Sequence, residues 1–62
     1  MNNLKKYRLK AGLTQKELSR KANISERAYQ MYEHNERFPT INTAKILAEL
    51  LNSSLDEIWF TD

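Results

Sequence analysis

The 62-residue sequence has no cysteine, one glycine, one proline and one histidine. Without cysteine, disulfides and thiolate metal sites are excluded. A zinc site would have to be built mostly from carboxylates around His34, so no metal is expected. Gly12 alone cannot form a glycine-rich phosphate loop. So few glycine and proline residues also argue against a sheet with many tight turns.

The chain also lacks a long apolar run. Its longest stretch of apolar character, Ile46 to Leu51, is short and is interrupted by Glu49. This excludes a transmembrane helix, so a membrane partner is not expected. The basic N-terminus is not followed by an apolar segment, so it does not match a signal peptide. The cytoplasm is therefore the expected location.

The shortness of the chain limits both its domain count and its chemistry. We expect a single domain over residues 1–62. A chain of this length buries only roughly 60% of the surface that it exposes when unfolded. A pocket for a drug-sized ligand needs about 300 Å³ or more, which a thin core cannot easily provide. We therefore expect no enzymatic activity, no cofactor and no small-molecule ligand.

The charge of the chain is unevenly distributed. Residues 1–37 carry nine basic and four acidic side chains, a net charge of +5, whereas residues 38–62 carry one basic and four acidic side chains, a net charge of −3. The first part could therefore face a polyanion such as a nucleic acid, and the second part could not. The alternative is ordinary surface charge on helices.

Capping and breaking residues divide the first part of the chain into three predicted helices. Residues 3–11 form the first, which Gly12 can close in the left-handed conformation. Thr14 opens a capping-box pattern that predicts a second helix over residues 15–22. Ser25 is a good N-cap for a third helix, from Glu26 to about His34. Two helices joined by so short a turn must cross steeply, which is the helix-turn-helix arrangement.

Two further helices are predicted after Pro39. Thr40 can cap the fourth, and Ser54 and Glu57 form a second capping-box pattern that opens a short fifth helix. The fourth helix carries an apolar stripe at helical spacing, consisting of Ile41, Ala44, Leu47, Ala48 and Leu51. No segment alternates with period two long enough to indicate a strand. The predicted fold class is all-α, a compact five-helix bundle with a helix-turn-helix.

Several motifs together resemble a known family. They are Gly12 to Leu18, Asn23 to Ser25, Tyr32-Glu33, Pro39, and Leu55 to Ile58. This spacing is similar to that of the Cro/CI-type helix-turn-helix repressors, also called the Xre family, from about Leu4 to Ile58. The resemblance implies a lambda repressor-like DNA-binding fold whose second and third helices contact DNA. It also implies binding of operators as dimers.

The third predicted helix would read the bases. A helix of about nine residues is roughly 13 Å long and fits a major groove about 12 Å wide. Tyr29 and Tyr32 lie three residues apart and should face inward. By the resemblance, the opposite face contacts base edges through Ser25, Glu26, Arg27, Gln30 and Met31. Arg27 suits guanine and Gln30 suits adenine. The alternative is an ordinary solvated helix face.

A second set of side chains is expected on the DNA backbone. Gln15 stands where the family has a residue that clamps a phosphate at a helix end. The full set of expected phosphate contacts is Thr14, Gln15, Lys16, His34, Asn35, Arg37 and Thr43. Such contacts fix the register of a protein on DNA and carry no sequence information. Alternatively, Lys16 serves solubility and His34 is an exposed histidine at a helix end.

Arg8 and Glu33 are interpreted as structural. In many members of the family the arginine of the first helix pairs with the glutamate near the end of the third, and these two residues stand at those positions. Asn23 and Asn35 stand where the family often has glycine. Asparagine can adopt the same left-handed conformation at modest cost, so the resemblance is unaffected.

Large apolar side chains in the C-terminal half predict a dimer interface. The expected interface residues are Ile46, Leu50, Trp59 and Phe60, because apolar groups left over from a thin core tend to mark an interface. Alternatively, Trp59 and Phe60 cap the core of the single chain.

Together these features predict a sequence-specific DNA-binding transcriptional regulator. We expect a repressor that binds double-stranded DNA at a short, roughly palindromic operator. The homodimer could form only on DNA. Two alternatives stay open: a protein-binding helical module, such as the antitoxin of a toxin–antitoxin pair, and the controller of a restriction-modification system.

Overall fold

The computed structural model of the chain describes residues 2–60, which form five helices. These are α1 (Leu4–Lys10), α2 (Gln15–Lys21), α3 (Glu26–Glu33), α4 (Ile41–Leu50) and α5 (Leu55–Trp59). No strand occurs in the described part of the chain. The predicted all-α, five-helix fold class is confirmed. Within residues 2–60 no helix has the length and apolar character needed to cross a membrane.

Four of the five helices begin at a hydroxyl side chain that accepts a hydrogen bond from a backbone amide in the first turn. These N-caps are Thr14, Ser25, Thr40 and Ser54. Both predicted capping boxes form, since the carboxylates of Glu17 and Glu57 accept from the backbone amides of Thr14 and Ser54 at 2.9 and 2.8 Å. These backbone hydrogen bonds lower the pKa of Glu17 and of Glu57. The helix starts are thus determined by local sequence.

Four residues at helix ends adopt the left-handed backbone conformation. Gly12 has φ 73°, and Asn23, Asn35 and Asn52 have φ of 58°, 60° and 53°. Asparagine is one of the few residues with a side chain that reach this region at modest cost. The turn between α2 and α3 therefore closes at Asn23 without the glycine that the family often has there.

Each helix contributes one side chain with no exposed surface to a common core. These are Leu4, Leu18, Tyr29, Leu47 and Ile58, from α1 to α5 in order. The anchor of α3 is thus an aromatic residue, which buries a large apolar area. Because Tyr29 points inward, the opposite face of α3 is directed towards solvent.

The expectations for the C-terminal apolar residues are partly wrong. Ile41 was predicted to join the inward stripe of α4, yet it is 64% exposed, whereas Ala44 and Leu47 are buried. The reason is its place in the first turn of α4, at an edge of the core where Phe38 and Phe60 are also exposed and where none of residues 2–60 covers it. Trp59 is only 9% exposed and belongs to the core, in agreement with the alternative interpretation for that residue. For Phe60, which is 72% exposed, that alternative is wrong.

The N-terminal segment ties the ends of α3 and α5 to the start of α1. The Asn3 amide donates to the backbone oxygen of Ile58 at 2.9 Å. The Asn2 side chain donates to the backbone oxygen of Tyr32 at 2.9 Å and to Oδ1 of Asn35 at 3.0 Å. These bonds hold the C-terminal end of α3, and hence the outward face of that helix, against the rest of the domain.

Candidate nucleic-acid interface

The interface is built around α2 and α3, which pack against each other and are joined by a short turn. The Asn23 and Ile24 amides donate to the backbone oxygens of Arg20 and Ser19, each at 3.0 Å, so the chain reverses tightly after α2. The start of α2 and the start of α3 line one shallow groove, whose lining includes Thr14, Gln15, Lys16 and Glu26. This places some expected phosphate contacts beside an expected base contact.

The outward face of α3 carries the side chains expected to contact bases. Ser25, Glu26 and Arg27 are exposed, and Gln30 and Met31 are half-buried. The Ser25 hydroxyl accepts from the Ala28 amide at 3.0 Å as the N-cap. A helix of this length spans about 12 Å and matches the width of the major groove, also about 12 Å. Apart from Met31, the side chains of this face are polar, and the helix is about as long as the groove is wide.

The expected phosphate contacts fall into three places. Thr14, Gln15 and Lys16 lie at the start of α2; His34, Asn35 and Arg37 are exposed in the segment that follows α3. The residues at the start of α2 and those in the segment after α3 therefore lie on the elements that flank the outward face of α3. Thr43 is half-buried on α4, where its backbone amide and its hydroxyl both bond the Thr40 hydroxyl.

The expected ion pair between Arg8 and Glu33 forms between α1 and α3. Arg8 Nε lies 2.8 Å from Glu33 Oε2, and the two side chains are 9% and 3% exposed. Arg8 Nη1 also donates to the backbone oxygen of Leu13 at 2.9 Å. The same carboxylate accepts from the Tyr29 hydroxyl at 2.6 Å and from Gln15 Nε2 at 3.0 Å. One carboxylate therefore joins α1, α2 and α3.

These contacts determine the protonation of the cluster. Burial alone would raise the pKa of Glu33, but the hydrogen bonds from Arg8, Tyr29 and Gln15 outweigh it and hold that pKa below its ordinary value. Burial, followed by the hydrogen bond to Glu33, raises the pKa of Tyr29 well above its ordinary value. Near neutral pH the cluster contains a carboxylate, a guanidinium and a neutral phenol.

Two contacts of Gln15 were not foreseen from the sequence. Besides donating to Glu33, Gln15 accepts at Oε1 from Gln30 Nε2 at 3.3 Å. The residues of these pairs stand 18 and 15 positions apart, so no helical periodicity relates them. The crossing of α2 and α3 brings them together. The resemblance singled out Gln15 only for phosphate.

The comparison with known families agrees with this geometry. The model of the helix-turn-helix family matches residues 4–58, which is nearly the whole chain. The chain belongs to the Cro/CI-type helix-turn-helix family. As a member it is a DNA-binding helix-turn-helix regulator, and the family is a non-enzymatic domain type. No curated protein matches the chain in sequence at a significant level.

Proposed function

We propose that this helix-turn-helix protein is a sequence-specific transcriptional repressor that inserts α3 into the major groove of a short palindromic operator. The observation that carries the proposal is the placement of α3. Tyr29 fixes one face in the core, and the opposite face presents Glu26, Arg27 and Gln30 between two groups of expected phosphate contacts. This is the arrangement that base reading in a groove requires.

The side chains on this face have complementary bonding capacities. Arg27 can donate two hydrogen bonds to guanine, and Gln30 can donate to and accept from adenine. Glu26 can accept from the amino group of cytosine but repels nearby phosphates. Lys16, His34, Asn35 and Arg37 serve the backbone in the proposal, which makes affinity dependent on salt.

The proposed working species is a homodimer formed through the C-terminal half. This half has large exposed apolar side chains at Phe38, Ile41, Ile46 and Phe60. Its net charge of −3 disfavours contact with DNA, so it is available to a second copy. Leu50 is half-buried against the core and Trp59 is buried, so each offers a partner less surface than was expected from the sequence. A two-fold dimer would place two α3 helices about 34 Å apart on symmetric half-sites.

Base reading is tested by selection of duplex oligonucleotides from a random pool. The wild type should enrich a sequence with two-fold symmetry, and the salt dependence of binding should reveal several neutralised phosphates, each contributing a slope of about −0.9 in log K against log salt. Arg27→Ala should relax preference at one base pair per half-site and cost about 1–3 kcal/mol on the selected site. Lys16→Ala, the control, should weaken all sequences alike. If Arg27→Ala loses as much affinity for random DNA as for the selected sequence, Arg27 does not contact a base.

The dimer is tested with Ile46→Gln and Phe60→Gln, which replace exposed apolar side chains by polar ones. Glu49→Gln is the matched control, because it introduces the same side chain at another exposed position in this half. The first two variants should weaken binding to the full operator more than binding to a half-site. If they bind the full operator as the wild type does, and two chains never occupy one operator, the proposed dimer is wrong.

A further inference from the structure

The side chain of Asn2 bridges the start of α1 and the turn that follows α3. Its Oδ1 accepts from the Leu4 amide at 2.9 Å. Its Nδ2 donates to the backbone oxygen of Tyr32 at 2.9 Å and to Oδ1 of Asn35 at 3.0 Å. An asparagine side chain has two N–H donors and one acceptor oxygen, so these three bonds engage both ends of the Asn2 amide. Asn2 is half-buried, whereas Asn35 is exposed.

These bonds determine which end of the Asn35 amide faces outward. Because Asn2 turns its oxygen to Leu4, it presents only N–H donors to Asn35, which must offer its own oxygen in return. The reversed Asn35 amide would bring two NH2 groups together. The backbone of Asn35 is also held in place, since its φ is 60° and its amide donates to the same Tyr32 oxygen at 3.2 Å. Nδ2 of Asn35 is therefore directed away from Asn2, with two N–H donors that no hydrogen bond within residues 2–60 uses.

An outward NH2 group on an exposed turn is suited to a phosphate oxygen, because an ionised phosphate accepts hydrogen bonds and asparagine is among the side chains that contact the DNA backbone. We propose that Asn2 is a positioning residue for DNA binding: it holds the Asn35 amide with its NH2 group outward, so that Nδ2 donates to a phosphate. This inference rests on the proposed function, in which the segment after α3 faces the DNA backbone. The contact is made by a side chain, which the glycine that the family often has at this position lacks.

The test measures the affinity of the wild type, Asn2→Ser, Asn35→Gly and the double variant for duplex DNA. Glycine keeps the left-handed backbone and removes the amide. Serine keeps an oxygen that can accept from the Leu4 amide but lacks the NH2 group that bridges Tyr32 and Asn35. Asn35→Gly should weaken binding on the order of tenfold, the size expected of a hydrogen bond to a charged group. Asn2→Ser should weaken binding several-fold in the wild type and have no further effect in Asn35→Gly, because Asn2 acts through Asn35.

Asn3→Ser is the matched control. Asn3 is the neighbouring half-buried asparagine, but its side chain donates to the backbone oxygen of Glu57 at 3.0 Å, on the side of α5. This variant should bind DNA as the wild type does. Arg37→Ala gives a second comparison: loss of a positive charge should reduce the slope of log K against log salt by about 0.9, whereas Asn35→Gly removes no charge and should leave the slope unchanged. Circular dichroism of each variant checks that the helices are intact.

Each affinity is measured on the selected operator and on a duplex of random sequence. Phosphate contacts carry no sequence information, so a variant should weaken binding by the same factor on both. If the wild type selects no sequence, the proposed base reading alone is overturned, because the random duplex still tests the phosphate contact. The inference is overturned if Asn35→Gly binds as tightly as the wild type. It is also overturned if Asn2→Ser weakens binding by the same factor with and without the Asn35 side chain, or if Asn3→Ser weakens binding as much as Asn2→Ser.

Discussion

Replacement of Glu33 by alanine should destabilise the domain severely. The substitution leaves the Arg8 guanidinium, whose side chain is only 9% exposed, without its carboxylate. It also removes the acceptor of the Tyr29 hydroxyl and of Gln15 Nε2. Removal of one partner from a buried ion pair typically costs about 3–5 kcal/mol, because the remaining charge stays buried and unpaired.

That cost is large for so small a domain. At about 0.05–0.15 kcal/mol per residue, a chain of this length has a total free energy of unfolding of about 3–9 kcal/mol. Each kcal/mol lost lowers the melting temperature of a domain of this size by about 4–8 °C. We therefore expect Glu33→Ala to melt at least about 12 °C below the wild type, or to be largely unfolded at room temperature.

The assay is thermal and urea unfolding followed by circular dichroism, with Glu36→Ala as the control. Glu36 is exposed, so its removal should change stability by no more than about 0.5 kcal/mol. A double variant, Arg8→Met with Glu33→Met, should be more stable than Glu33→Ala, because no unpaired charge remains in the core. Equal melting temperatures for Glu33→Ala and Glu36→Ala would refute the reasoning.

The stabilisation that Glu33 gives the wild type should be lost in acid. The pKa of Glu33 in the folded protein lies below the ordinary 4.5. The stabilisation is therefore complete at pH values above 4.5 and is lost as the pH falls through the folded pKa. The difference in melting temperature between the wild type and Glu33→Ala should therefore narrow between pH 5 and pH 3, and a constant difference would contradict the ion pair. Tyr29→Phe keeps the buried ring but removes the 2.6 Å hydrogen bond to Glu33, so urea unfolding should show a loss of about 1.5–3 kcal/mol. Asn52→Ala, at φ 53°, should cost about 1–2 kcal/mol, whereas Asn52→Gly should be nearly neutral; equal stability of the two would mean that the backbone there is not strained by a side chain.

The features predicted correctly from the sequence are those that depend on neighbouring residues. Thr14 with Glu17, and Ser54 with Glu57, form capping boxes because the partners lie three positions apart, within one helical turn. Asn23 closes a helix because the left-handed conformation depends mainly on the residue itself. The Arg8–Glu33 pair joins residues 25 positions apart and was expected only because of the family resemblance.

The features that were not predicted from the sequence depend on which parts of the folded chain cover a given side chain. Helical periodicity placed Ile41 on the same face as Ala44 but could not show that the core ends before that turn. For the same reason it could not distinguish Trp59, which the other helices cover, from Phe60, which they leave exposed. The contacts of Gln15 with Glu33 and Gln30 likewise require the relative placement of α2 and α3.

The position of Glu33 links the stability of the domain to its recognition surface. A thin apolar core provides little stability in a chain of this length, and here a single carboxylate adds polar contacts between α1, α2 and α3. Because one of those contacts continues to Gln30, a change at Glu33 would alter both folding and the proposed base contact. Gln15 differs in that it is half-buried and carries no charge, so its replacement leaves the ion pair of Arg8 and Glu33 in place. Substitutions at Gln15 therefore test the contacts between α2 and α3 without leaving a buried charge unpaired.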